Sequence, residues 1–322
     1  MSKIIIINTG GTIAMAVDQE SDAVKPQGNQ PLHHVTPHLE KFGEIVMEDF
    51  LNLPSPHMTP ELMFSLSQRI QHHISDDSVA GIVITHGTDT LEETAYLLDL
   101  VISSTKPVVV TGAMRSSNEL GADGPINLVH SVRVAALPDS AERGVLVVFN
   151  DEIHAARYVT KTHTSNVATF QSPQHGPIGL ISKKSIQYME AQLPRKHMDI
   201  QKISVNIPLI KVVTGMKVEW LSFLLESDID GVVIEAFGAG NIPPSIVPIV
   251  RALCEQQKPV VLVSRCFNGY VQDLYGYDGG GHQLGQMGVI FSNGLNGQKA
   301  RIKLMVACET TRDLNKLREI FD

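Results

Sequence analysis

Hydroxyl, carboxylate and amine side chains recur in this chain just after short β-branched runs, and their chemistry is the first clue to what it does. Thr12 follows Thr9-Gly10-Gly11, Thr88 and Asp89 sit in His86-Gly87-Thr88-Asp89-Thr90, and Lys161 stands between Thr160 and Thr162. A threonine hydroxyl is a weak nucleophile until a neighbouring group takes its proton. A lysine withdrawn from water can be neutral at about pH 7 and act as that base. A carboxylate such as Asp89 recognises an ammonium group by a charge-assisted hydrogen bond. Ser55, in the rigid stretch Asn52-Leu53-Pro54-Ser55-Pro56, suits an anion-binding or orienting role, or an ordinary turn. Arg115 and Asn118 lie at another such run end. His86, two residues from Thr88, is a candidate base for it, since unperturbed histidine titrates at about 6.5. Gly87 breaks the chain between them, however, which favours His86 as a hydrogen-bonded residue fixing the turn.

The elements that must position these groups follow from periodicity. Ile82-Val83-Ile84 reads as a strand buried on both faces. After it Thr90 is placed to cap a helix, with Glu93 at capping-box spacing and Ala95, Leu97, Leu98 and Val101 on an apolar face. In open parallel sheets, ligands bind beyond the carboxyl ends of strands, so the Gly-Thr-Asp turn lies where a site is expected. A first strand over 3–8 ends at Thr9-Gly10-Gly11-Thr12, and 15–29 reads as a polar loop rather than the helix a dinucleotide fingerprint needs. Further expectations are a helix over 37–42, a strand over 45–47 and a helix capped by Thr59 with Pro60 at its first position. Strands over 106–111 and 144–149 flank a helix over 125–137, and a shorter strand covers 156–160 before Lys161. Beyond the weakly patterned stretch 187–206, strands over 210–213, 231–234 and 259–264 alternate with helices over 219–225 and 244–257.

This alternation argues for an α/β protein of two domains. The larger N-terminal domain, 1–186, is a parallel sheet with helices on both faces; 187–206 is a linker; 207–322 is a smaller α/β domain. A chain of 322 residues, 43% of them hydrophobic, fills two such cores. A net charge of -8 with no long Lys or Arg run argues against nucleic acid and anionic membranes and for a small solute. No apolar segment reaches the roughly 18 to 20 residues that span a bilayer, and the apolar start is too short for a signal-peptide core. The three cysteines, Cys254, Cys266 and Cys308, form no CxxC pair and read as buried structural thiols in a reducing, cytoplasmic setting. Among 13 histidines, His33-His34 and His72-His73 are adjacent pairs whose side chains diverge, so no metal site is expected.

Taken together, these residues resemble the bacterial L-asparaginases, specifically the cytoplasmic type I branch. The matching motifs are Thr9-Gly10-Gly11-Thr12-Ile13-Ala14, His86-Gly87-Thr88-Asp89-Thr90, Gly112-Ala113-Met114-Arg115, Ala122-Asp123-Gly124-Pro125, Asn150-Asp151 and Thr160-Lys161-Thr162. The resemblance runs through the second domain by way of Gly240-Asn241 and Arg265. It implies cofactor-free hydrolysis of L-asparagine to L-aspartate and ammonia in a homodimer or homotetramer. By this resemblance Thr12 is the nucleophile, and Thr88 is a second essential hydroxyl activated by Lys161 and supported by Asp89. Gly11, Ser55, Gly87, Thr88, Asp89 and Ala113 contact the substrate, with Ser55 on its α-carboxylate and Asp89 on its α-ammonium. The sequence departs from the secreted enzymes in having no tyrosine in 15–29 and in having Pro56 after the orienting serine. Other readings are a glutaminase-asparaginase, an ammonia-delivering amidotransferase subunit and a catalytically silent amino-acid sensor.

Overall fold

The computed structural model describes residues 2–18, 21, 24–26, 35–190 and 195–322. They divide into two compact units, Met1–His197 and Met198–Asp322. The first begins with strand β1 (Lys3–Gly10), whose isoleucines Ile4, Ile5, Ile6 and Ile7 are all buried. A 3-10 turn at Thr12–Ala14 leads into an antiparallel ribbon of β2 (Met15–Val17) and β3 (Val24–Pro26). The stretch 15–29, expected as a loop, is thus partly paired; 19, 20, 22, 23 and 27–29 lie outside the described residues, as do His33 and His34.

The chain then runs through α1 (Thr36–Leu39), β4 (Glu44–Leu53), α2 (Pro60–Ile74) and β5 (Val79–Thr85). It continues with α3 (Leu91–Val101), β6 (Val108–Thr111), α4 (Gly124–Ala136) and β7 (Val145–Phe149). These strands pair in parallel in the order β4-β1-β5-β6-β7. Pleating sends alternate side chains to opposite faces. Ile4, Ile6, Val83 and Val109 pack with Leu128 and Val132 of α4. Ile5, Ile7, Ile82 and Ile84 are buried on the other face, where α2 packs against α3. Each such side chain contributes about 1.5–3 kcal/mol by leaving water.

Beyond β7 the chain reverses direction. Asn150 and Asp151 take left-handed φ values of 47° and 65°, the conformation of a two-residue hairpin turn. β8 (Glu152–Ala155) accordingly returns antiparallel against β7. The expected strand over 156–160 is replaced by a turn at 156–158, and Thr160 opens β9 (Thr160–Lys161), which pairs with β10 (Phe170–Gln171). β11 (Gly179–Ile181) and β12 (Ile186–Tyr188) extend the sheet beyond β8, so it is mixed rather than wholly parallel. Gln187 and Tyr188, read from sequence as linker, are strand residues, and 191–194 lie outside the described residues.

In the second unit, strands β13 (Leu209–Lys211), β14 (Val232–Ala236), β15 (Val260–Ser264) and β16 (Ile290–Phe291) form a parallel sheet in that order. Helices α5 (Phe223–Glu226), α6 (Val247–Glu255), α7 (Gly281–Gln286), α8 (Gly297–Thr310) and α9 (Leu314–Phe321) connect and follow them. The helix expected over 219–225 is broken into a 3-10 turn, Val218–Trp220, and α5. Cys308 is buried and Cys254 half-buried, but Cys266 is exposed, so it is not the core thiol that composition suggests.

Two threonines placed at helix starts behave differently. The Thr59 hydroxyl accepts the Leu62 N–H at 3.3 Å and caps α2 as expected. Thr90 makes no side-chain cap on α3; its hydroxyl donates to the Ser55 carbonyl at 2.9 Å, tying two strand-end turns together. His86 is wholly buried, with Nδ1 2.7 Å from the Gly87 carbonyl and Nε2 2.9 Å from Thr94 Oγ1. Burial pushes its pKa down to about 4, although the bond to the Gly87 carbonyl opposes the shift.

This makes His86 a source of acid sensitivity. Above the ordinary value of about 6.5 both folded and unfolded states hold it neutral, and its stabilising contribution is complete. As pH falls from there towards 4 the unfolded chain takes a proton that the fold refuses, so stability declines, by roughly 3 kcal/mol in all. Urea titrations of wild type and His86→Asn between pH 7.5 and 4 should show the wild-type advantage shrinking across that window. A constant gap would mean that His86 does not titrate with unfolding.

Candidate active site

Strand order reverses at β1, with β4 on one side and β5 on the other, and such a reversal opens a crevice at the carboxyl ends of the strands. Thr12 opens the turn just after β1, Ser55 lies two residues beyond β4, Thr88 and Asp89 follow β5, and Ala113 lies two residues beyond β6. Backbone contact holds the first three turns together. Gly11 has φ of 84°, and a Cβ there would lie 2.3 Å from the Cα of Gly87. A Cβ on Gly87 would in turn fall 2.7 Å from Cβ of Ser55. Both positions are closed to any side chain, which is why glycine occupies them.

Lys161 reaches this cluster from β9. Its Nζ donates to Thr88 Oγ1 at 2.9 Å and to Asp89 Oδ1 at 2.7 Å. The Lys161 side chain is 16% exposed and that of Asp89 59%, so the amine is sheltered while the carboxylate keeps a face to solvent. The Asp89 N–H donates to Ser55 Oγ at 3.1 Å. With its oxygen so engaged, the Ser55 hydroxyl keeps its proton to give. A recess of about 540 Å³ opens beside the pair, lined by Asp89, Glu92, Lys161, Thr162, His163 and Thr164.

Thr88 and Ser55 are buried and Thr12 is half-buried. Ala113 is buried too, and the turn that holds it is fixed from below: the Met114 and Arg115 N–H groups donate to the Asp123 carboxylate, and Asn127 Nδ2 donates to the Gly112 carbonyl at 3.1 Å. Arg115 stays within its own loop, donating to the Gly121 carbonyl at 2.9 Å. Asn118 pairs with both the N–H and the carbonyl of Val17, and Ser117 donates to the Met15 carbonyl, so this loop anchors the ribbon that follows Thr12.

The sequence pattern overlooked Asp123, Asn127 and Glu92 as anchors. Glu92 lies one residue before the glutamate at capping-box spacing, yet it is the buried one. No group of three or more His, Cys, Asp or Glu placed to hold a metal ion occurs among the described residues, and His73 contacts Glu48 instead. No helix among them is long and apolar enough to cross a membrane.

Two family models match this chain. Residues 3–194 match the model described as asparaginase, N-terminal, and residues 206–321 match the glutaminase/asparaginase C-terminal domain. A Deinococcus radiodurans protein named probable L-asparaginase is 38% identical, the match covering 100% of this chain and 97% of that one. L-asparaginase 2 of Escherichia coli is 36% identical over 100% of this chain and 93% of its own. A crystal structure of a probable cytoplasmic L-asparaginase from Campylobacter jejuni superposes with a TM-score of 0.87 at 34% identity, covering 100% of this chain and 99% of that one. Threonines at glycine-tight strand ends, a lysine on one of them and family models spanning both units lead to one conclusion: the chain belongs to the asparaginase family.

Proposed function

We propose that the protein is an L-asparaginase, hydrolysing the side-chain amide of L-asparagine to L-aspartate and ammonia. The observation that carries this reading is the contact of Lys161 Nζ with both Thr88 Oγ1 and Asp89 Oδ1 at the reversal of the sheet. In its neutral form the amine accepts the Thr88 hydroxyl proton while still donating to Asp89. Thr12 is the nucleophile: its oxygen bonds to the amide carbon, its proton passes through the Thr88–Lys161 relay to the departing nitrogen, and ammonia leaves. Water then cleaves the ester, releasing aspartate and restoring the hydroxyl.

Substrate recognition uses the groups left free by this network. The exposed side of Asp89 holds the α-ammonium, the Ser55 hydroxyl donates to the α-carboxylate, and the Ala113 carbonyl lies near the leaving amide. Gly11 and Gly87 bring main-chain groups close to the substrate, where N–H donors stabilise the developing oxyanion. Base, nucleophile and charge stabilisation all come from this chain, so the reaction needs no metal or cofactor. The neighbouring structure described as cytoplasmic supports a cytoplasmic location, while one relative, from Haemophilus influenzae, is named periplasmic; cell fractionation tests the location. A homodimer or homotetramer is part of the reading, supported by the exposed side chains of Phe267, Tyr270, Leu274 and Tyr275 in the second unit.

Lys161→Met should lower kcat roughly 10²- to 10⁴-fold with a smaller change in KM, and Thr12→Ala and Thr88→Ala should each abolish turnover in a folded protein. His86→Asn should instead mainly cost stability. Ammonia release from L-asparagine by the purified variants over pH 6 to 9 checks this. A catalytic collapse in His86→Asn, with near-normal kcat in Lys161→Met, would move the base to histidine. Activity should also survive exhaustive EDTA treatment and thiol alkylation; loss on chelation, restored by one added metal, would refute a side-chain-only mechanism.

A further inference from the structure

Lys161 belongs to a two-residue strand, too short to fix its own direction, so something else must aim its amine. Glu92, in the first turn of α3, does this. Its Oε1 accepts the Thr160 hydroxyl at 2.9 Å and the Lys161 main-chain N–H at 3.2 Å. The residue is 4% exposed. Asp89, three residues earlier on the approach to the same helix, holds the other end of Lys161 through Nζ. The lysine is therefore gripped at its main-chain N–H and at its amine by two carboxylates three residues apart, one in the first turn of α3 and one in the turn that leads into it. Because α3 also follows directly from the turn carrying Thr88, base and hydroxyl are referred to a single frame.

We propose that Glu92 is a positioning residue for the reaction, holding β9 so that the Lys161 amine meets Thr88 Oγ1. The proposal rests on Lys161 being the base. It acts through geometry: what is required at position 92 is an acceptor for two hydrogen bonds, and displacement of the lysine by about 1 Å costs turnover on the order of 10²-fold. Glutamine keeps that acceptor with the same shape, while alanine takes the shared acceptor away from the Thr160 hydroxyl and the Lys161 main-chain N–H. Thr160→Val removes one of the two bonds with little change in volume.

The test measures kcat and KM for L-asparagine with Glu92→Ala, Glu92→Gln, Thr160→Val and the double variant Glu92→Ala with Thr160→Val, beside Lys161→Met. Thermal melts report the folded fraction of each. Glu92→Ala is expected to lose kcat about 10- to 100-fold with KM altered less than about threefold. Glu92→Gln should stay within about threefold of wild type, and adding Thr160→Val to Glu92→Ala should cost less than Thr160→Val does alone, as coupled groups do. A loss in Glu92→Gln as deep as in Glu92→Ala, or strictly additive losses in the double variant, would overturn the positioning role. If Glu92→Ala does not fold, the milder Thr160→Val decides: a normal kcat there also overturns it. Should Lys161→Met collapse while Glu92→Ala and Thr160→Val remain fully active, this inference fails and the assigned base stands. A fully active Lys161→Met would instead sink the base assignment itself.

Discussion

The structure turns on backbone packing at the place where the sheet changes direction. The turn after β1 lies on the turn after β5, and that turn lies on Ser55, with Gly11 and Gly87 leaving no room for a Cβ at either contact. Such close approach is possible only where strands run parallel and end together, which the buried isoleucines and valines of β1, β5 and β6 enforce from both faces. At those ends the Asp89 N–H reaches Ser55 Oγ at 3.1 Å, a contact between short groups on neighbouring turns. The exception is the lysine, which comes from outside the parallel set and requires its own anchorage.

Polar groups beneath the turns keep their geometry fixed. His86 has both ring nitrogens occupied, by the Gly87 carbonyl and the Thr94 hydroxyl, and its burial keeps it neutral. Neutrality matters here, because a charge at that depth would strain the turn that carries Thr88. Asp123 and Asn127 do the same for the turn carrying Ala113. Turns held this tightly depend on supporting residues whose own bonds are satisfied.

Much of this was legible in the sequence because its signals are local. Runs such as Ile82-Val83-Ile84 announce buried strands, and Gly-Thr-Asp after one of them announces a turn with chemistry. What escaped was non-local or compact. The reversal after β7 rests on left-handed Asn150 and Asp151, which carry no glycine to advertise a hairpin, so a strand was expected over 156–160 where the chain in fact turns. The β2–β3 ribbon has strands of three residues each, too short for alternation to register. Glu92 looked like one more acid in a helix's first turn, because its partners Thr160 and Lys161 are 68 and 69 residues away. Thr90 has the type and place of a cap, yet a carbonyl 35 residues distant takes its hydroxyl. Lys161 itself could be paired with Thr88, 73 residues away, only through family resemblance.

In the proposed reaction a free amine at the position of Lys161 Nζ takes the Thr88 proton, and chemical rescue tests that step. Lys161→Ala leaves a gap that a small primary amine such as ethylamine can enter. Ammonia release from L-asparagine should return in proportion to the concentration of free-base amine, and no rescue should occur when Thr88→Ala is added. Failure of amines of every size to restore turnover, or equal rescue with and without the Thr88 hydroxyl, would contradict it.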